Sequence, residues 1–290
     1  MKIVIIGSTG QLGQDVMKEF GQAAIGLSHE EIEVADPASA KKAIHLLKPD
    51  WVINTAAYHR VDECEDHPDL ADAVNVAGAE NVARSAAEIG AGVVFFSTDY
   101  VFDGKNRDPG QPYEEHDQAR PLSVYGSSKL AGERRVIAVN PRHLVIRTCG
   151  LFGVHTSRKG WTFPDLILKK ARAGETNRVV NDQVVSPTFT TDLAVKAKEL
   201  ILQEARGLFH LTNSGECSWF EFARQTLDFS DQSANLESIQ TTQLDRRAPR
   251  PAYSALKSRR LAEMGIQPLR PWQEALKDYL FQKGFLVYTK

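Results

Sequence analysis

Gly7-Ser8-Thr9-Gly10-Gln11-Leu12-Gly13 follows directly on the apolar run Ile3-Val4-Ile5-Ile6, and no other stretch restricts the fold as much. A short run of β-branched residues without polar alternation reads as a strand covered on both faces. Glycines spaced GxxGxxG behind it read as a sharp turn into a helix. Gly7 permits the turn, Gly10 lets a pyrophosphate approach the backbone, and Gly13 lets the helix pack close to the sheet. The helix N-terminus beyond the turn favours negative charge. Thr9, Gln11 and Leu12 complete this expected cradle. The spacing is not GxGxxG, but the strand–turn–helix setting is that of a dinucleotide site.

The same rhythm continues. Residues 23–27 read as a weaker strand. Asp36-Pro37 supplies a cap and a first helical turn for a helix reaching about residue 48. Strands are expected at 51–54, 93–97 and 143–147, and a long alanine-rich helix over 67–90. Strands alternating with helices predict an α/β fold, a doubly wound parallel sheet of the Rossmann type. Ligands on such sheets bind at the carboxyl ends of the strands. This dinucleotide-binding part is expected over 1–150. Residues 151–290 are expected to form mainly a smaller substrate-binding lobe, with some segments returning to the sheet. Helical spacing there covers 163–174, 191–202, 218–228 and 271–283, with short strands at 178–181 and 207–211.

Composition removes other classes. The 290 residues carry 35 Lys plus Arg against 37 Asp plus Glu, a net charge of −2, which disfavours nucleic-acid or anionic-membrane partners. There is no 18-residue apolar stretch to span a membrane, and the first apolar run is too short for a signal-peptide core. Cys64, Cys149 and Cys217 form no CxxC pair, so a cytoplasmic protein without a disulfide framework is expected. Cys64 lies near His59, His67 and the acids Asp62, Glu63, Glu65 and Asp66, but the spacing matches no metal-ligand set; a solvated helix start and no metal are expected. The partner is a small molecule, and a homodimer remains open.

The second strand runs into Ser28-His29. An acid there would hold a ribose 2′-hydroxyl and repel a 2′-phosphate; Ser28 does not, so NADPH is expected, with NADH the alternative. Tyr125-Gly126-Ser127-Ser128-Lys129 is a YxxxK sequence, which puts two side chains one helical turn apart. A lysine ammonium near a phenol lowers its pKa, and a tyrosine so placed can pass a proton to or from a carbonyl oxygen. Upstream, Ser97-Thr98-Asp99 ends the fourth strand, where Thr98 can hydrogen-bond the same carbonyl.

These residues resemble the extended short-chain dehydrogenase/reductase superfamily. Ser97-Thr-Asp-Tyr-Val-Phe-Asp-Gly104, Pro121-Leu-Ser-Val-Tyr-Gly-Ser-Ser-Lys-Leu-Ala-Gly-Glu133, Val180-Asn-Asp-Gln183, Ser186-Pro-Thr188 and Arg250-Pro-Ala-Tyr-Ser254 resemble the dTDP-4-dehydrorhamnose reductase family more closely, in the family's order over nearly the whole chain. The resemblance implies NAD(P)H-dependent reduction of the C4 ketone of a nucleotide-linked 6-deoxyhexose. It makes Thr98, Tyr125 and Lys129 the catalytic group, with Lys129 also on the nicotinamide ribose. Glu33 and Val34 would contact the adenine. Ala56, Ala57, Tyr58 and Phe96 would lie along the cofactor. Asp99 would face the sugar, and Arg250 would grip the substrate diphosphate.

Departures from the pattern carry information. Dehydratases of the superfamily read Thr-Asp-Glu where this chain has Thr98-Asp99-Tyr100, so the base for water elimination is missing and simple reduction is favoured. The family commonly carries tryptophan at the position of Gly150, and extra residues stand around 106–111; both imply a reshaped sugar pocket. Arg246 and Arg247 read equally as a surface loop or as part of a functional basic run, and Trp219, Phe220 and Phe222 as packing of the small lobe. The alternatives are an epimerase or reductase acting on another nucleotide sugar, and a non-catalytic NADP-binding subunit resembling the regulatory subunit of methionine adenosyltransferase.

Overall fold

The computed structural model describes residues 1–105, 108, 110–155 and 160–286. Five of its strands are β1 (Ile3–Ile6), β2 (Ala24–Leu27), β3 (Trp51–Asn54), β4 (Gly92–Thr98) and β5 (His143–Thr148). A sixth, Gly207–His210, returns from the back half of the chain. Together they form one parallel sheet in the order Gly207–His210, β5, β4, β3, β1, β2. This is the Rossmann-type α/β fold.

Alternate residues of β1 leave opposite faces, which is why the run is apolar throughout. Ile3 and Ile5 pack with Val16 and Phe20 of helix Gln11–Phe20 and with Leu193, Leu200 and Phe209. Val4 and Ile6 pack with Ile44, Val82, Ala83 and Val136 on the other face. Asp36 accepts from the Ala38 N–H ahead of helix Pro37–Leu47, the cap that Asp-Pro implies. A third cluster, with Phe152, Phe189, Phe222, Trp272 and Tyr279, lies beyond the sheet. There, helices Phe163–Arg172 and Trp219–Phe229 each start with a capping box, from Thr162 and Ser218.

The expected helix over 67–90 is divided. An α segment Pro68–Asp72 passes into a π turn over Ala73–Gly78 and back to α over Ala79–Glu88. Such bulges gather at functional sites, and this one aims Asn75 inward, fully buried.

Helix Val124–Val139 carries the YxxxK pair and packs unusually close to its neighbours. A Cβ on Gly126 would sit 2.2 Å from the Tyr100 carbonyl, and one on Gly132 2.2 Å from the Asn75 carbonyl. Underneath, Arg147 of β5 grips Glu133 of this helix: Nε donates to Oε1 at 2.9 Å and Nη2 to Oε2 at 2.7 Å, both side chains being buried. Bidentate geometry is what lets a buried pair offset its desolvation. Glu133→Leu should cost about 3–5 kcal/mol, because it strands the guanidinium, while Glu133→Leu with Arg147→Met should recover most of that loss. Chemical denaturation of the three proteins checks this; equal losses in the single and double variants would show the pair is not what docks the helix.

Candidate active site

The carboxyl ends of β1, β3, β4 and β5 meet at one edge, and the site is built there. At the dinucleotide turn the Gly10 N–H donates to the Gly7 carbonyl at 2.9 Å. A Cβ on Gly13 would lie 2.2 Å from that same carbonyl, so any larger residue would push the helix off the turn. Leu12 is buried in the core cluster. Gln11 Nε2 and, at the end of β4, Ser97 Oγ are buried without a hydrogen-bond partner among the described residues. Uncapped polar atoms around a glycine turn and a helix N-terminus fit a bound dinucleotide.

The Ala56–Tyr58 loop is held from below. Asn54 Oδ1 accepts from the Ala56 N–H, and Asn75 clamps Tyr58 twice, Oδ1 taking its N–H at 2.9 Å and Nδ2 reaching its carbonyl at 3.0 Å. Asn75 Nδ2 also reaches Ser128 Oγ at 3.0 Å, one residue before Lys129. Cys64 is buried and donates to the Tyr58 carbonyl. At the end of β2 the Ser28 N–H donates to Glu31 Oε2 at 2.7 Å, so a carboxylate stands beside the serine after all, and His29 faces Glu33 at 3.7 Å. Val34 is buried against Gly78, and Glu33 Oε1 takes the Ala35 N–H. Phe96 is buried in the core cluster beneath this edge.

Thr98 and Tyr125 come together, with Lys129 one helical turn beyond Tyr125. The Thr98 hydroxyl lies beside the Tyr125 phenol and favours its charged form. Desolvation pushes that phenol above its ordinary range, with Thr98 opposing, so Tyr125 rests protonated; the expected lowering by Lys129 is not found, burial pushing the lysine amine itself toward its neutral form. The Tyr100 ring meets the Tyr125 ring edge-on, centroids 5.9 Å apart. Lys129 Nζ lies 4.0 Å over the Phe95 ring, and burial pushes its amine down to about 7 against the pull of Glu133. Asp99 is buried too. Burial pushes its carboxyl up, while donors from Ser254, Cys149 and Thr98 oppose the rise.

The chain matches the model of the RmlD substrate binding domain over residues 1–284. It belongs to that family. A Bacillus subtilis relative, the spore coat polysaccharide biosynthesis protein SpsK, is 38% identical over 286 residues, covering 98% of each chain. A dTDP-4-dehydrorhamnose reductase of Mycolicibacterium smegmatis is 37% identical, covering 96% of this chain and 84% of its own. The crystal structure of a dTDP-4-dehydrorhamnose reductase from Bacillus anthracis, solved in complex with NADP, superposes with a TM-score of 0.92 at 31% identity, covering 97% of this chain and all of the other. The chain is thus an NAD(P)-dependent oxidoreductase of the extended short-chain dehydrogenase/reductase type.

Arg250, expected at the substrate diphosphate, is paired within the chain. Its buried side chain is paired with Asp62, Nη1 to Oδ1 at 2.5 Å and Nη2 to Oδ2 at 2.7 Å, and Nη1 also reaches the Ala248 carbonyl. The pair pulls the Asp62 carboxyl well below the usual range. Arg247 pairs with Asp66 on the same short helix, Val61–Asp66. Gly150, where the family commonly has tryptophan, lies against another tryptophan: a Cβ there would stand 3.5 Å from the Trp219 ring. Trp219 thus lies beside Gly150 as well as against Phe163. Asn106, Arg107 and Pro109 of the extra loop lie outside the described residues. No described helix is long and apolar enough to cross a membrane.

The Lys129 amine gives a pH signature. Unfolded, it keeps its proton up to about 10.5; folded, it releases it at about 7. Folding is therefore penalised at and below neutral pH, and the penalty fades as pH rises through that window. The stability of the wild-type chain relative to Lys129→Met should climb between these two values. Denaturant titrations across the range check this, and a flat difference would mean the amine is as solvated as in the unfolded chain.

Proposed function

We propose that the chain reduces the C4 ketone of a dTDP-linked 6-deoxyhexose, dTDP-4-dehydrorhamnose, using NADPH, with NADH as the alternative donor. The observation that carries the reading is a protonated Tyr125 next to Thr98, one helical turn from a buried Lys129, at a strand edge where Tyr100 replaces the base that elimination needs. The names of the relatives and the NADP complex of the B. anthracis reductase support the substrate and the donor.

When bound, the nicotinamide would supply the hydride that C4 receives. The chain supplies the proton and the geometry. Reduction needs an acid at the ketone oxygen, and burial keeps Tyr125 in its acid form. Thr98 orients the phenol. As the C4 oxygen takes the phenol proton, the carbonyl becomes a hydroxyl and Tyr125 is left as a phenolate. Lys129, with its pKa near 7, can return that proton at neutral pH. Asn75 holds Ser128 and the Tyr58 loop so that helix and cofactor edge keep their spacing. Gly10, Gly13 and Gln11 would hold the pyrophosphate, and Ser28 with His29 the adenosine ribose. Arg250 would take the substrate diphosphate by exchanging Asp62 for it. The substrate-binding lobe over 151–290 belongs to the same proposal, and so does a cytoplasmic setting.

Tyr125→Phe keeps the ring and removes the proton. Turnover of dTDP-4-dehydrorhamnose, followed by NADPH absorbance, should fall about 100-fold or more, with NADPH affinity by calorimetry unchanged. Turnover within a few-fold of wild type would remove Tyr125 from the acid role.

A further inference from the structure

Glu31 brings a carboxylate to a strand end where the sequence placed a serine. Ser28 follows Leu27, the last residue of β2. The Leu27 carbonyl takes the Gly7 N–H at 2.9 Å and the Ser8 N–H at 3.2 Å. A Cβ on Gly26 would stand 2.7 Å from the Ser8 side chain. The end of β2 and the glycine turn are therefore in direct contact. On such a sheet an acid about 20 residues past the turn holds the ribose 2′-hydroxyl of a dinucleotide. Glu31 lies at that distance from Gly10.

The backbone returns Glu31 to the strand end. The Ser28 carbonyl takes the N–H of Glu31 at 3.1 Å and of Ile32 at 3.2 Å, and Ile32 is buried in the cluster that holds Leu27 and Val34. In the turn so fixed, Glu31 Oε2 accepts the Ser28 N–H at 2.7 Å. That bond helps hold the carboxyl below its usual range, so it is charged at neutral pH. A carboxylate has about four lone-pair sites, and the N–H and hydroxyl of Ser28 can fill at most two. Glu31 is exposed, so the others are open to a ligand hydroxyl. The neighbouring charges act in the same direction. Residues 19–40 include Glu19, Glu30, Glu31, Glu33 and Asp36 and no lysine or arginine. The one imidazole of that stretch, His29, faces Glu33 at 3.7 Å.

We propose that Glu31 sets the choice of hydride donor: its carboxylate accepts a hydrogen bond from the adenosine ribose 2′-hydroxyl of NADH, and its charge opposes the 2′-phosphate of NADPH. Both donors bind at one site, and Glu31 shifts their balance toward NADH. The assignment rests on the reductase reading for its dinucleotide and names the residue that decides between the two donors.

Ser28-x-x-Glu31 is also the spacing of a turn cap, and a cap alone would serve both donors alike. Glu31→Gln separates the two roles, because the amide oxygen can still take the Ser28 N–H while the charge is gone. Calorimetry of NADPH and of NADH binding to the full chain, without sugar, gives the ratio of the two dissociation constants. Glu31→Gln should move that ratio about 10-fold toward NADPH, the size of one charge-assisted contact. Glu30→Gln, which removes the neighbouring charge, should leave it within about 2-fold. An unchanged ratio in Glu31→Gln, equal weakening of both donors, an equal shift in Glu30→Gln, or a wild-type chain that binds NADPH and not NADH overturns the proposal. A wild-type chain that binds both donors and does not reduce dTDP-4-dehydrorhamnose would instead overturn the reductase reading, and the ratio would still test Glu31.

Discussion

The bidentate grip of Arg147 on Glu133 is the contact on which the site depends. Tyr125 and Lys129 sit on one helix, Thr98 and Asp99 at the end of a strand, and nothing in the local sequence of either brings them together. The buried pair ties that helix to β5, and β5 is in register with β4, Thr148 beside Thr98. Gly126 and Gly132 then let the helix backbone settle against Tyr100 and Asn75. A buried ion pair is a poor source of net stability compared with apolar packing. Its use here is registry, since only one placement of the helix satisfies both nitrogens.

A second set of contacts reaches the site from the far end of the chain. Arg250 holds Asp62 on the helix that follows the Ala56–Tyr58 loop, and Ser254 holds Asp99 beside Thr98. These ties cross 188 and 155 residues of sequence. They tie the Arg250–Ser254 segment to the short helix Val61–Asp66 and to the end of β4.

Part of this was legible in the residues. The turn after β1 and the YxxxK pair are local patterns, and local spacing dictates local geometry. The helix starts at Pro37 and Trp219 likewise follow from a cap residue beside them. What was hidden depends on distance. The sequence marks Asp62 as one acid in a cluster, and only the fold brings it to Arg250. Ser28 looked free of acids because Glu31, three residues later, turns back onto it. Asn75 left a signal that spacing rules do not weigh, a lone amide inside Ala73-Val74-Asn75-Val76-Ala77, and the π turn that points it inward breaks the 3.6-residue period on which helix reading relies. The lowering expected for the Tyr125 phenol was reversed because burial, which is a property of the assembled cleft, pushes the phenol up and the Lys129 amine down.

Isotope transfer tests the central claim most directly. With NADPH carrying two deuterons at the nicotinamide C4 and dTDP-4-dehydrorhamnose as acceptor, NMR of the product should show one deuteron at C4 of the sugar ring and protium at its other carbons. A deuteron at another carbon, or a product with none, would contradict reduction of the C4 ketone by this site.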